Sequence, residues 1–198
     1  MNRIASFLII PLALITIIVI KADAQSFSTH SLKVSVGLGI NEGSEEIGVG
    51  TLTSFAYQKS LWKDRLRISP YILTGSFWPF GITDTRDQYY KITSLGCKGY
   101  LDAIKYESIS IFIAAGGFVN YSRGLLGTGG WPEEGNNHSE YLFKLYVGGY
   151  FGAGIRINPP ESSIAYEFSP VNFCFGNNTF MLSYFRFGID IKLRKKRV

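Results

Sequence analysis

The stretch EYLFKLYVGGYFGAGIRI, Glu140 to Ile157, repeats with a period of two. Every second residue from Tyr141 gives Tyr, Phe, Leu, Val, Gly, Phe, Ala, Ile and Ile. The others, from Leu142, give Leu, Lys, Tyr, Gly, Tyr, Gly, Gly and Arg. Side chains of a strand point alternately to its two faces, so this is a strand with one apolar face and one small, aromatic or charged face. The same pattern recurs. Leu32, Val34, Val36, Leu38 and Ile40 oppose Lys33, Ser35, Gly37 and Gly39. Ile109, Ile111, Ile113, Ala115, Gly117 and Val119 oppose Ser110, Phe112, Ala114, Gly116 and Phe118. Phe185, Phe187, Ile189, Ile191 and Leu193 oppose Tyr184, Arg186, Gly188, Asp190 and Lys192. Weaker runs cover 47–58, 65–75 and 162–169, and a run over 89–101 alternates poorly. Together they predict eight strands. No run holds a 3.6-residue period, so no long helix is expected after the N-terminal segment.

The connections predict how these strands are joined. Segments 59–64, 102–107 and 158–161 are short, and the last contains Asn158-Pro159-Pro160, which ends a central strand. Between them fall 41–46, 76–88, 122–139 and 170–178, of which the last three are longer and rich in Gly, Asn, Asp or Trp. Short turns at one end and longer loops at the other are the habit of an up-and-down barrel.

Alternation alone does not say which face is outside. An inward apolar face makes a soluble barrel; an outward one needs lipid as solvent. Three features favour lipid. The polar face is mostly Gly, Ser, Ala and Tyr, which suits a narrow eight-strand interior filled by side chains. Composition agrees with that first feature, since only 18% of all residues are charged, against about 25% in soluble domains. The polar-face charges are Lys33, Lys144, Arg156, Glu167, Arg186 and Asp190. Inside a barrel such charges must pair, and Glu167 and Arg186 lie on neighbouring strands. Aromatics gather at strand ends: Phe77, Trp78, Tyr89, Tyr90, Tyr141, Phe143, Phe168 and Phe180 by the longer loops, and Tyr57, Trp62 and Tyr106 by the short turns. Two aromatic girdles mark two membrane interfaces. The reading is an all-β, eight-stranded antiparallel transmembrane barrel.

The first 24 residues read as a secretory signal peptide. Arg3 precedes an apolar run from Ile4 to Ile20, and Ala22-Asp23-Ala24 forms the cleavage site before Gln25. This leaves 25–198 as one barrel domain. The formal charge of +5 gathers partly in the tail Lys192, Arg194, Lys195, Lys196 and Arg197. An exported chain does not meet nucleic acid, so this tail reads as solvated beside anionic lipid headgroups. Cys97 is expected in a strand and Cys174 in a loop. Export leaves a disulfide between them open, and their spacing gives no metal signature.

Over nearly all of 25–198 the pattern resembles the small outer-membrane β-barrel proteins of Gram-negative bacteria, of the OmpA/OmpX type. One local match supports the resemblance. Those proteins carry an insertion signal in the last strand, which Arg186-Phe187-Gly188-Ile189-Asp190-Ile191-Lys192-Leu193 fits. The resemblance implies that Gly188, Ile191 and Leu193 engage the barrel-assembly machinery. Many members end on an aromatic residue, whereas this chain continues to Val198.

Chemistry finds little support. Some small outer-membrane barrels deacylate or acylate lipid A, which needs a nucleophile with a His in reach. The two histidines are His30, before the first strand, and His138, in a loop beside Ser139 and Glu140. The His-Ser spacing of lipid A deacylases is not found. The Gly-rich segments lack a Gly-Lys-Ser/Thr and a following helix, so they are not phosphate loops. The loop with Trp131, Glu133 and Glu134 is a possible contact surface. The expectation is an integral outer-membrane protein without enzymatic activity or cofactor. Its role is structural or loop-presenting, its lumen is not a wide pore, and its extracellular partner is unknown. A lipid A-modifying enzyme and a soluble lipocalin-like binding barrel are the alternatives.

Overall fold

The computed structural model describes residues 30–62, 65–79, 89–127, 139–159 and 162–193. Eight strands follow one another: β1 (His30–Glu42), β2 (Ile47–Leu61), β3 (Leu66–Pro79), β4 (Tyr89–Tyr106), β5 (Ile109–Gly127), β6 (Ser139–Ile157), β7 (Ile164–Gly176) and β8 (Met181–Lys192). Each runs antiparallel to the next, and β1 pairs with β8 from Ser31 opposite Lys192 to Glu42 opposite Met181. The sheet therefore closes in sequence order, β1 to β8. Closure pairs every strand on both sides and leaves no edge.

Each of the eight alternating runs marks one strand, and most strands reach further than the alternation does. The largest difference is at 170–178, expected as a long loop. β7 continues through it to Gly176, and the chain turns only at Asn177–Phe180, with Asn178 and Thr179 at φ of 51° and 61°. The pairing of β7 with β8 shifts between Ser169 and Phe173. Pro170 and Val171 are both exposed there, so the alternation slips by one residue. A bulge is where a strand accommodates Pro, and the slip makes one strand look like a strand followed by a loop. Similarly, 102–107 is not a turn. β4 reaches Tyr106 through a register shift between Asp102 and Ile104, and Glu107, at φ 47°, makes the tight turn.

The slip also relocates Cys174. It lies in β7 and is buried in the barrel, whereas Cys97 in β4 is exposed on the outer wall. β4 and β7 are not neighbours, both thiols are free, and the wall stands between them. Intact mass after denaturation without reductant, in the presence of a maleimide, is expected to show two adducts. A chain that gains none would mean a disulfide and would rule out this register.

Glycine sets the barrel's narrowness at Gly148 in β6. A Cβ there would meet the Phe175 carbonyl oxygen and come within 2.6 Å of the Gly176 Cα. Backbone cannot yield as a side chain can, so Gly148→Ala is expected to cost about 1–3 kcal/mol in a urea-unfolding measurement, as overpacking does. Gly99→Ala is the control. Its Cβ would meet nothing nearer than the Ala115 oxygen at 3.8 Å, and its midpoint should hold.

Candidate functional site

The apolar face is the outside. Leu32, Val36, Leu95, Val147, Phe151 and Phe187, from β1, β4, β6 and β8, all stand exposed, Val36 by 56% and Leu95 by 59%. Their sequence neighbours Lys33, Ser35, Ser94, Tyr146, Tyr150 and Arg186 are buried. The apolar wall runs round the barrel, whereas soluble monomers rarely expose apolar patches beyond a few hundred Å². A lipocalin-like barrel would carry these residues inside, around a ligand. The outward-facing charges in the described strands are Glu42, Lys59, Lys91 and Arg123, all close to strand ends.

The aromatic girdles are thinner than the sequence suggests. Trp78, Tyr89, Tyr141 and Phe143 face outward at the longer-loop end, and Tyr57, Trp62 and Tyr106 at the short-turn end. Phe77, Tyr90 and Phe180 point inward and are almost wholly buried. They pack into the lumen: Phe77 stacks on Tyr90 at 5.4 Å and Phe180 on Tyr146 at 4.6 Å. Phe168 faces outward, but opposite Phe187, toward the short-turn end. Strand parity separates the two groups: Tyr89 and Tyr90 are adjacent, so one faces out and the other in.

Inside, the sheet brings five of the six charges singled out from the sequence into one network. Glu167 of β7 lies opposite Gly188 of β8, between the inward Arg186 and Asp190. Lys33 of β1 lies opposite Asp190, and Arg156 of β6 opposite Glu167. The side chains then pair diagonally. Lys33 Nζ donates to Glu167 Oε2 at 2.6 Å and Arg186 Nη2 to Glu167 Oε1 at 2.5 Å. Arg156 Nη2 donates to Asp190 Oδ2 at 2.6 Å. All five residues are buried. Gly188 leaves this space open: a Cβ there would stand 3.1 Å from the Ser35 Cβ.

Lys144 does not join them. It lies on the inward face of β6 near the longer-loop end and bonds Glu45 at 2.6 Å, with both side chains partly exposed. Facing the lumen and lying deep in it are different properties, and alternation reports only the first.

Sequence reasoning missed several members. Arg67 of β3 pairs with Asp102 of β4, reaches Glu167 at 3.7 Å and donates to Gln58 Oε1 at 3.5 Å. Gln58 in turn donates to Asp190 Oδ2 at 3.0 Å, joining the two halves. Lys98 of β4 sits in a cage of rings, 4.1 Å from the centre of Tyr71 and 3.8 Å from that of Tyr150, and donates to the Tyr184 hydroxyl at 3.1 Å. Tyr100 roofs the cluster, with Lys33 Nζ 4.3 Å and Arg67 Cζ 5.0 Å from its ring centre. Cation–π contact of this kind is strongest where water is excluded. Arg67 was legible, since it falls on the polar face of the 65–75 run. Asp102 was hidden by its assignment to a turn, and Lys98 by the poor alternation of β4.

Ile191 of β8 and Leu193, just past the strand's end, are both exposed on the outer face, with Gly188 facing in. The Leu193 amide donates to the His30 carbonyl at 2.9 Å and so closes the barrel at its seam. His30 stacks on Tyr57 and its Nδ1 shares a hydrogen bond with the Tyr57 hydroxyl. That is a rim contact at the short-turn end. Among the described residues no group of three or more His, Cys, Asp or Glu could hold a metal ion. Trp131, Glu133, Glu134 and His138, like the signal peptide, lie outside the described residues.

No family model matches the chain, and no curated protein matches it. Solved structures do. Neisserial surface protein A (NspA) superposes with a TM-score of 0.62 at 10% identity, covering 84% of this chain and 98% of NspA. Ail, the attachment invasion locus protein of Yersinia pestis, gives 0.55 at 10% identity, covering 84% and 99%. Ail in complex with the heparin analogue sucrose octasulfate gives 0.50 at 11% identity, again over 84% and 99%. The fold is that of the small eight-stranded outer-membrane β-barrels, the OmpA/OmpX type that the alternation and the last strand resemble.

Proposed function

We propose that this chain is an integral protein of the Gram-negative outer membrane without enzymatic activity, exported by its first 24 residues. One observation carries the reading: a closed barrel turns its apolar faces outward and holds a network of ion-paired side chains inside, with outward charges only near the strand ends. Water would not tolerate that exterior, and a bilayer asks for it. Its direct partner is therefore outer-membrane lipid. The charge network and the rings of Tyr71, Tyr100, Phe112, Tyr150 and Tyr184 fill the lumen, which supports a sealed barrel over a wide pore.

The barrel is a stable platform for the connections at 80–88 and 128–138, and these loops, with Trp131, Glu133 and Glu134, are where an extracellular partner would be met. That a barrel of this fold, Ail, has been solved in complex with the heparin analogue sucrose octasulfate supports a ligand-binding role. Gly188, Ile191 and Leu193 would engage the barrel-assembly machinery, since Ile191 near the end of β8 and Leu193 just past it present apolar side chains outward. Replacing Ile191 and Leu193 together by Asn should leave unfolded chain in the periplasm.

The reading is tested by a heat-shift gel on detergent-extracted outer membranes. Folded protein should sit in the membrane fraction and change mobility on boiling. Soluble periplasmic protein with no shift would sink the proposal.

A further inference from the structure

Lys91 and Arg123 break the rule of the outer wall. They lie directly opposite one another on β4 and β5, and both point outward and are exposed. Phe143 of β6 is the next residue in the same row. One step toward the longer loops, Tyr89, Leu125 and Tyr141 form a parallel outward row. These residues, with Gly124, line a groove of about 510 Å³ on the outer face.

Two like charges opposed across a ladder repel each other. No Asp or Glu among the described residues of β4, β5 or β6 shares that face. The one described attraction is weak: Lys91 Nζ lies 5.8 Å from the Tyr89 ring centre. The position explains why the charges are tolerated. At roughly 2.5 Å of height per tilted residue, Arg123 stands about 35 Å above Ile109 at the short-turn end of β5, beyond the apolar band of about 25 Å. The pair sits at the level of headgroups, and below it the wall continues apolar through Tyr121, Leu145 and Val119.

We infer that this groove is a binding site for a phosphorylated lipid of the outer leaflet. The phosphate is held between Lys91 and Arg123, the headgroup lies against Tyr89, Tyr141 and Phe143, and the acyl chains run down the apolar wall. Arg supplies a planar fork for phosphate oxygens and Lys a point charge, and a single anion between them relieves their repulsion. A free anion would gain only the charges. A lipid also gains the wall. The inference rests on the proposed membrane residence, since only a membrane protein presents this wall to lipid.

The test uses the full chain refolded into phosphatidylcholine vesicles doped with bis-phosphorylated lipid A, or with lipid A stripped of phosphate. The lipid retained after mild detergent extraction is weighed by native mass spectrometry, and folding is scored separately by heat shift. Wild type should retain phosphorylated lipid A at least fivefold over the stripped form. K91Q/R123Q should lose that preference while keeping its heat shift, K59Q at the other end should keep it, and millimolar inorganic phosphate should not displace the lipid. Equal retention by K91Q/R123Q, or of both lipids by wild type, in heat-shifting protein overturns the site and leaves the barrel reading standing. Displacement by inorganic phosphate overturns the lipid as ligand. Failure of wild type to enter vesicles or to shift overturns both.

Discussion

Glu167→Ala is expected to lose about 3–5 kcal/mol of barrel stability, the cost of breaking a buried ion pair from one side. The carboxylate is buried and accepts from Lys33 and Arg186, with Arg67 at 3.7 Å. Removing it takes a carboxylate from three cations in a lumen already rich in positive charge. Around it Lys33, Arg67, Lys98, Arg156 and Arg186 face Asp102, Glu167 and Asp190, while the remaining buried carboxylate, Glu46, accepts from the Tyr146 hydroxyl elsewhere in the lumen. Neither Asp can compensate: Asp102 is engaged by Arg67 and Asp190 by Arg156 and Gln58. The measurement is a urea-unfolding curve in lipid vesicles, followed by tryptophan fluorescence. Lys144→Ala is the comparison. Its bridge to Glu45 is partly exposed at the mouth, where water and salt screen the pair, so its midpoint should move far less. If the two variants unfold at the same urea concentration, Glu167 is not the keystone described here. In the double variant Glu167→Ala/Arg186→Ala, part of the loss should return, because one of the uncompensated cations has gone.

How much of this was legible in the sequence follows from what alternation measures. It reports the face on which a side chain lies, so the outward row Leu32 to Ile40 and the inward Lys33, Glu167, Arg186 and Asp190 could be read from the residues alone. It does not report depth, so Lys144 reads as part of a network from which it is far removed. It fails where the phase slips. The bulges at Ser169–Phe173 and Asp102–Ile104 make strand look like loop, and so hide Cys174 and Asp102. Nor does it report which strands meet. Glu167 with Arg186 follows from strands that are neighbours in sequence, but Lys33 with Glu167 arises only because β1 closes on β8 and brings β7 within reach. That pair, 134 residues apart, is a product of closure. The lipid-facing groove escapes the sequence for another reason. Lys91 lies in the poorly alternating run, and Arg123 falls in a stretch that reads as a loop.

Val36→Arg is expected to destabilise the barrel by about 2–4 kcal/mol in a bilayer, the cost of a cation on the lipid face near the midplane. Val36 lies at the middle of β1, is 56% exposed, and has Phe187 and Thr53 opposite it on the neighbouring strands. In water the same change would be trivial, since a surface substitution away from special features shifts stability by within about 0.5 kcal/mol. The solvent alone decides the size of the result, which makes this substitution a direct reading of what the apolar face touches. Glu42→Arg belongs beside it. Glu42 continues the same outward row to the longer-loop end of β1, where a cation meets headgroups and the penalty falls to about 0–1 kcal/mol. Depth-dependent cost along one row cannot come from a change of face, because Val36 and Glu42 face the same way on the same strand. Lipid imposes such a gradient and water does not, so equal midpoints for the two variants in vesicles would place the wall in water.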